Sequence, residues 1–134
     1  MSKVRFINNE VNNDSRGTLT AVEAYKETGI MYKRFFLITN IKGGKRGGHA
    51  HKFTDQIIKV IKGSIKLDFK YFKEEGSFQI NAESRPVFLP KLTWIEMNNI
   101  SSDAIIFVLS SDEYNIDASL RDKIKFLKYI QTLK

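Results

Sequence analysis

The chain has 134 residues, the length of one ordinary domain, and we expect a single domain over residues 1–134. Hydrophobic residues make up 42% of the sequence, which excludes a disordered protein, and the absence of cysteine excludes disulfides and thiolate metal sites. Lysine and arginine outnumber the acidic residues by 22 to 15, and the net charge of +7 favours an anionic partner.

Nucleic acid, an anionic membrane and a phosphorylated small molecule are the anionic partners to consider. The lysines are dispersed and form no motif with aromatic residues, so we expect no nucleic-acid binding. No apolar run approaches the roughly 20 residues that a membrane span requires. The start of the chain also lacks the apolar core of a signal peptide. We therefore expect a cytoplasmic protein with no membrane partner.

Short apolar or alternating runs, separated by turns, predict strands along most of the chain. In chain order, we expect strands at residues 4–7, 18–23, 34–39, 49–51, 56–61, 64–71, 78–80, 87–89, 93–97 and 104–109. Residues 8–17 are polar and turn-like, and residues 41–48 carry four glycines, which indicates a loop. A hairpin turn is expected at Gly63-Ser64 and another turn at residues 74–77.

The end of the chain has the spacing of a helix instead. Ser119 can cap the helix, with Asp122 closing a capping box. Leu120, Ile124 and Leu127 then recur at helical spacing, with lysines between them. Eight to ten strands and one C-terminal α-helix predict a mainly β fold, a sandwich or a barrel. Among these, the jelly roll is the arrangement that accommodates a small, open-mouthed cavity.

The two histidines of the chain stand two residues apart, in the segment RGGHAHK at residues 46–52. On a strand, His49 and His51 point to the same face, so both imidazoles would converge on one cavity. Imidazole titrates close to neutral pH and therefore suits both proton transfer and metal ligation. The glycine-rich loop that precedes the pair, with its arginine, favours a functional site.

The spacing of these residues resembles the first cupin motif, in which a glycine, an H-x-H pair, an acid and a second glycine follow one another. Gly43, the two histidines, Gln56 and Gly63 occupy these places, so that Gln56 stands where the family has glutamate. A weaker second match over residues 90–99 places Ile95 where the family has its third metal-binding histidine. Two imidazoles are too few ligands for a divalent ion. We therefore expect no metal and no cofactor, and histidines that are free to act as acid and base.

The segment RGGHAHK, with DSRGTL at residues 14–19 and PKLTWIEM at residues 90–97, is similar to the sugar nucleotide 3,4-ketoisomerases. These are the WxcM-like, RmlC-type cupins that act on dTDP-4-keto-6-deoxyglucose. The resemblance implies a cupin-type double-stranded β-helix (jelly roll), a homodimer with exchanged strands, and no metal. It also implies an isomerase that moves the ketone from C4 to C3 through an enediol, yielding a dTDP-3-keto-6-deoxyhexose for 3-aminosugar biosynthesis.

Two residues are expected to be catalytic. Moving the ketone requires a base for the C3 proton and an exchange of protons between two oxygens, which suits a pair of imidazoles. We favour His51 for the carbon-bound proton and His49 for the oxygens, although the sequence does not fix this order.

Five further residues are expected to bind the substrate. Arg46 lies three residues before His49, where a guanidinium can grip the diphosphate. Arg16, in the family's DSRG segment, is expected to contact the sugar, and Arg34 to point inward from its strand. Gln56 and Trp94 complete this set.

Two departures from the family leave alternatives open. Relatives often have a tyrosine after the arginine that matches Arg34, whereas this chain has Phe35-Phe36-Leu37, so Tyr32 or another hydroxyl would have to substitute. Relatives also often have histidine or arginine after the tryptophan, where this chain has Ile95, which leaves the C4 configuration of the product open. A non-catalytic nucleotide-sugar-binding cupin and a 3,5-epimerase are therefore the alternative functions.

Overall fold

The structure, a computed structural model, describes residues 3–133. The strands of this part of the chain are β1 (Arg5–Phe6), β2 (Glu10–Asp14), β3 (Gly17–Ala21), β4 (Arg34–Ile38), β5 (Arg46–His51), β6 (Gln56–Lys62), β7 (Ser64–Tyr71), β8 (Glu74–Asn81), β9 (Val87–Leu89), β10 (Thr93–Asn98), β11 (Ile105–Ser110) and β12 (Ser119–Leu120). The helices are α1 (Ala24–Thr28), a 3-10 turn (Ile116–Ala118) and α2 (Lys123–Thr132).

Two five-stranded antiparallel sheets form the body of the fold. The first sheet has the strand order β1-β9-β6-β11-β4, and the second has the order β12-β5-β10-β7-β8. A separate two-stranded ribbon pairs β2 with β3. This is the mainly β jelly roll with a C-terminal helix that the sequence predicts.

The main core lies between the two sheets, because alternate residues of each strand are apolar and face inward. Ile58 and Val60 of β6 and Ile106 and Val108 of β11 are buried from the first sheet, and Leu67 of β7 is fully buried from the second. Burial of this kind contributes about 1.5–3 kcal/mol per large side chain, so the sandwich is held together chiefly by this layer.

Helix α2 covers the outer face of the second sheet. Phe126 and Ile130 of the helix are buried against Ala50 of β5 and Trp94 of β10. The rings of Phe126 and Trp94 lie 5.5 Å apart, centre to centre, and are tilted by 39°. The helix therefore packs on the outer face of β5. The residues next to Ala50 on this strand face the interior of the sandwich.

The order of turns and strands differs from the prediction in four places. Residues 46–48, expected to lie in a loop, belong to β5. Within the expected turn at residues 8–17, residues 10–14 form β2 and Gly17 begins β3, because an exposed ribbon needs no apolar alternation. The turn expected at residues 74–77 belongs to β8, and the chain reverses at Phe72, whose φ is +53°. Gly63-Ser64 is not a hairpin, since β6 and β7 lie in different sheets and the chain crosses between them there.

Gly63 is required at this crossing. Its φ is +81°, in the left-handed region that favours glycine. A Cβ at this position would lie 2.8 Å from the Cα of Ala104, which belongs to the backbone and cannot rotate away.

The C-terminal helix begins three residues later than the capping box predicts. Asp122 is the N-cap, and its Oδ1 accepts the backbone N–H of Lys125 at 3.0 Å. Ser119 instead belongs to β12, which pairs with β5, and the short helix α1 was not predicted at all.

No helix within residues 3–133 has the length and apolarity needed to cross a membrane.

Candidate active site

Strand β5 presents both histidines to the interior, as their spacing predicts. His49 lies opposite Ile95 of β10, and His51 lies opposite Ser119 of β12. Ala50 between them points outward and is completely buried beneath α2. The two imidazole rings lie 5.0 Å apart, centre to centre, at 79° to one another. The alternation of the strand therefore brings both rings to one place.

The glycines before the histidines have a physical reason in the pairing of β5 with β10. The register of this pair shifts between Ile95 and Glu96. At this irregularity Gly47 has a φ of +94°, and a Cβ there would lie 3.0 Å from the carbonyl oxygen of Ile95. A side chain at this position would push the two strands apart and displace His49, so glycine is needed.

The first sheet supplies the opposite wall of the cavity. Its strands place Arg34, Ser110 and Gln56 side by side, since Ser110 is paired with Arg34 of β4 and with Gln56 of β6. Ser110 and Gln56 are buried polar residues, exposed by 2% and 7%. A polar row across three apolar strands is unusual in a sandwich core and marks a site rather than a packing layer.

A cavity of about 410 Å³ lies between this polar row and the histidines. Its lining includes Arg34, Phe36, Arg46, His49, His51, Thr54, Gln56, Ser110, Glu113, Tyr114, Asn115 and Arg121. An inner pocket of about 160 Å³ shares His49, Arg46, Gln56 and Arg121 with it and ends on Ile95 and Met97. The site is therefore charged at its mouth and apolar at its inner end.

Both imidazoles are held neutral. Burial, chiefly, lowers the pKa of His51 from its ordinary 6.5 to about 4, and the interactions with His49, Arg121 and Arg34 contribute to this shift. Burial also lowers the pKa of His49, and Arg121 and Arg46 act in the same direction. A backbone contact with Gly47 opposes these effects at His49. At neutral pH each ring can accept a proton, which is the state a base needs.

Three arginines surround the histidines. The guanidinium of Arg34 lies between two aromatic rings, 4.8 Å from the centre of Phe36 and 5.2 Å from that of Tyr114. This contact fixes the charge while leaving the N–H groups of the guanidinium to meet a ligand. Arg46 lies at the exposed edge of the cavity, and Arg121 borders both the cavity and its inner pocket. The arrangement suits an anionic ligand with a polar group held near the histidines.

Gln56 and Ile95 occupy the positions where a cupin metal would have its remaining ligands. Gln56 lies in the cavity with the histidines, and Ile95 forms part of the apolar inner end. Among residues 3–133, no three side chains of histidine, cysteine, aspartate or glutamate lie close enough together to hold an ion.

The structure brings five of the seven predicted site residues together and separates the other two. His49, His51, Arg34, Arg46 and Gln56 all line the cavity.

Trp94 and Arg16 lie elsewhere. Trp94 faces the outer side of the second sheet, packs on Phe126, and donates its indole N–H to Glu96 at 3.1 Å. The prediction that Trp94 lines the histidine cavity is therefore wrong. Neighbouring residues of β10 point to opposite faces of the sheet, and Ile95 is the one that faces the cavity. Arg16 lies at the tip of the β2–β3 ribbon with its side chain 88% exposed, and it is paired with Asp14 at 2.7 Å.

Sequence reasoning missed Arg121, Tyr114 and Ser119. All three lie in the segment between β11 and α2, where the sequence suggested only the start of a helix, and no local signal marks them as functional. Tyr114 supplies a phenol to the cavity, whereas Tyr32 lies outside it, with its hydroxyl 2.9 Å from that of Thr28.

The fold and the cavity together define a cupin-type jelly roll whose cavity is lined by two histidines and three arginines. Residues 2–131 match the family described as FdtA, WxcM-like, C-terminal. The chain therefore belongs to this WxcM-like family of sugar nucleotide isomerases. This confirms the resemblance, the fold class and the isomerase activity predicted from the sequence.

Named relatives agree with this placement. The chain is 32% identical over 118 residues to a TDP-4-oxo-6-deoxy-alpha-D-glucose-3,4-oxoisomerase of Aneurinibacillus thermoaerophilus, covering 87% of this chain and 85% of the relative. It superposes on a 3,4-ketoisomerase from Helicobacter canadensis with a TM-score of 0.90 and 32% identity, over 98% of this chain and 99% of the other.

A further structure is similar and contains a ligand. The QdtA 3,4-ketoisomerase from Thermoanaerobacterium thermosaccharolyticum, solved as a histidine-to-asparagine mutant in complex with TDP-4-keto-6-deoxyglucose, has a TM-score of 0.88 at 25% identity. The superposition covers 98% of this chain and 96% of QdtA.

Proposed function

We propose that the protein converts dTDP-4-keto-6-deoxyglucose to a dTDP-3-keto-6-deoxyhexose, with His49 and His51 as catalytic residues. The convergence of two neutral imidazoles on one arginine-lined cavity carries this proposal. Membership of the family and the ligand bound by QdtA support the choice of substrate. A protein that only binds a nucleotide sugar would not need two buried imidazoles that stay neutral at pH 7. The non-catalytic binding protein is therefore the less favoured alternative.

The reaction needs two proton movements, and each histidine performs one. His51 takes the proton from C3, and the electron pair left behind forms the C3–C4 double bond while O4 gains negative charge. His49 then exchanges the hydroxyl proton between O3 and O4. His51 returns its proton to C4 as the C3–O3 bond becomes a ketone, so that atoms and charges balance. General acid–base steps of this kind contribute about a hundred- to ten-thousand-fold each.

The arginines hold the diphosphate and stabilise the anionic intermediate. We assign the diphosphate to Arg46, and its position at the exposed edge of the cavity supports this assignment. Arg34 and Arg121 both border the cavity and offset the charge that develops on the enediolate oxygen. Gln56 can hydrogen-bond the sugar from the first sheet.

A homodimer with exchanged strands is supported by the apolar surface that the chain leaves exposed. Val11 and Leu19 of the ribbon and Phe35 and Leu37 of β4 are each more than half exposed. Burying such residues against a second copy would stabilise the pair. Arg16, at the tip of the ribbon, would then reach the cavity of the second copy. Light scattering should give twice the 15.5 kDa of one chain.

Complementation between two inactive variants tests the placement of Arg16. Co-expressed Arg16→Ala and His51→Asn chains form mixed dimers in which one cavity has both an intact histidine pair and an intact arginine from its partner. We expect recovery of about a quarter of the wild-type sites. No recovery above the separate variants would contradict a role for Arg16 in the partner's cavity.

The remaining parts of the proposal follow from the chemistry of the product. A 3-keto sugar is the substrate that an aminotransferase requires, so we place the reaction in dTDP-3-aminosugar biosynthesis. We also propose that residues 1–134 act as one domain and that the reaction uses no metal. The cytoplasmic location stays a prediction from the sequence.

Proton NMR in deuterated buffer tests the reaction and the assignment of the histidines. The wild-type protein should convert dTDP-4-keto-6-deoxyglucose to a 3-keto sugar with deuterium at C4, whose coupling constants give the C4 configuration. His51→Asn should abolish exchange at C3, whereas His49→Asn should keep exchange but form product slowly. Lys73→Asn, an exposed change in the β7–β8 turn, is the matched control.

Two outcomes would contradict the proposal. Deuterium at C5 would identify a 3,5-epimerase. Saturable binding of an unchanged substrate would identify the non-catalytic binding protein.

A further inference from the structure

The side chain of Ser119 lies directly behind His51. Strand β12 pairs with β5 so that Ser119 is the register partner of His51, and its Oγ lies 3.4 Å from the imidazole Nδ1. The backbone on both sides of the ring is fixed, because Lys52 N–H donates to the carbonyl of Ala118 at 3.0 Å and Leu92 N–H donates to that of His51 at 2.7 Å. The serine is therefore held in place by the fold rather than by a mobile loop.

The two histidines differ in this respect. Within residues 3–133, the Nδ1 of His49 is buried and has no hydrogen-bond partner, whereas the Nδ1 of His51 faces a hydroxyl. The hydrogen bond made by one ring nitrogen decides which tautomer a neutral histidine adopts. Ser119 can therefore set the tautomer of His51 through Nδ1, whereas the Nδ1 of His49 faces no such hydroxyl.

The charges around the cavity favour one direction of this hydrogen bond. The groups that face His51 are His49 on its own strand, Arg34 from β4, Arg121 after β12, and Arg46, Glu113 and Tyr114 around the cavity. Most of these charges are positive. A neutral imidazole is a dipole with its negative end at the bare nitrogen, so cations favour the lone pair on the nitrogen nearest to them. The proton then belongs on the other nitrogen, beside the serine.

We propose that Ser119 is a positioning residue for His51. Its hydroxyl oxygen accepts the Nδ1–H of the imidazole, and this leaves Nε2 with a lone pair for the substrate. The inference rests on the proposed function, in which His51 removes the C3 proton. It adds the reason why His51 rather than His49 is the carbon base.

NMR of the full chain labelled with ¹⁵N-histidine tests the tautomer without any turnover. The chain has two histidines, so a long-range ¹H–¹⁵N spectrum at pH 7 contains two imidazoles, and His49→Asn assigns them. We expect His51 protonated on Nδ1, a shift of the population towards Nε2–H in Ser119→Ala, and restoration in Ser119→Thr, which keeps the hydroxyl. A wild-type His51 protonated mainly on Nε2 would overturn the inference, even if Ser119→Ala failed to fold.

Kinetics separates positioning from a structural role. Loss of one neutral hydrogen bond typically corresponds to a change of about 2- to 10-fold, and we expect this decrease in kcat for Ser119→Ala, with KM changed less than about twofold. Ser119→Thr should recover most of the rate. Ser111→Ala, which removes a hydroxyl that accepts Asp55 N–H at 2.9 Å outside the cavity, should lower the Tm without changing kcat.

The two measurements also distinguish failure of this inference from failure of the proposed function. An unchanged kcat in Ser119→Ala, or an equal loss in Ser111→Ala, would overturn the role of Ser119 while the isomerase remained. A wild-type protein with the expected tautomer but no 3-keto product would contradict the proposed function instead.

Discussion

The low pKa of His51 makes the stability of the fold depend on pH, and His51→Asn is the perturbation that reveals it. The folded state holds the pKa near 4, against an ordinary value of 6.5, because the ring is buried among positive charges. The unfolded chain therefore binds a proton more readily than the folded chain. The stabilisation is complete above pH 6.5 and is lost as the pH falls from 6.5 towards 4.

The size of the effect follows from the shift. One pKa unit corresponds to about 1.4 kcal/mol, so the full shift would give roughly 3 kcal/mol. Since His51 is only partly buried, solvent screening reduces the expected loss to about 2 kcal/mol. Asparagine has a similar shape and does not titrate, so the variant should lack this part of the pH dependence.

Urea unfolding at pH 7, 5.5 and 4, at one fixed protein concentration, measures the difference between the two proteins. The wild-type free energy of unfolding should fall by about 2 kcal/mol more than that of His51→Asn between pH 7 and 4. The carboxylates titrate equally in both proteins and cancel. Identical pH dependence, or an NMR titration of His51 with its midpoint at 6.5 or higher, would refute the reasoning.

The remaining predictions concern the core, one turn and the cavity. Phe126→Ala should lower the free energy of unfolding by about 3–5 kcal/mol in urea, because the side chain is fully buried beneath the second sheet. Gly63→Ala should lower the Tm more than Gly43→Ala. Both glycines have φ near +80°, but only at Gly63 would an added Cβ contact neighbouring atoms. Equal decreases in Tm would contradict this reasoning. Arg121→Met should raise KM about 10- to 100-fold, the loss expected for a charged hydrogen bond, and should raise the NMR-titrated pKa of His51; an unchanged KM would exclude contact with the substrate.

Much of the site could be predicted because it depends on local geometry. Residues two apart on a strand share a face, so His49 and His51 were certain to meet wherever β5 lay. The inward orientation of Arg34 follows from the alternation of β4. Arg46, three residues from His49, would alternate to the other face, and the irregular pairing of β5 with β10 brings it to the cavity. The predictions for the histidines and Arg34 required the type of element and its period, not the position of any other strand.

The alternation on β10 carried similar information but not the whole answer. It sets Trp94 and Ile95 on opposite faces, yet it does not say which face looks into the cavity. The pairing of Ile95 with His49 and the packing of Phe126 on Trp94 decide this. The expectation for Trp94 was wrong because an aromatic residue fits a ligand site and a helix interface equally well.

By itself, the sequence determined the mainly β architecture, the shared face of the histidines and the family. Only the tertiary structure decided that Arg121 and Ser119 belong to the same site. Strand β12 has two residues and lies some 70 positions from His51, so it is too short to show an alternating pattern. The ribbon that carries Arg16 is exposed on both faces, so its sequence pattern does not indicate where its side chains lie relative to the site. Residues far apart in the chain meet through strand pairing, and strand pairing is a property of the whole fold.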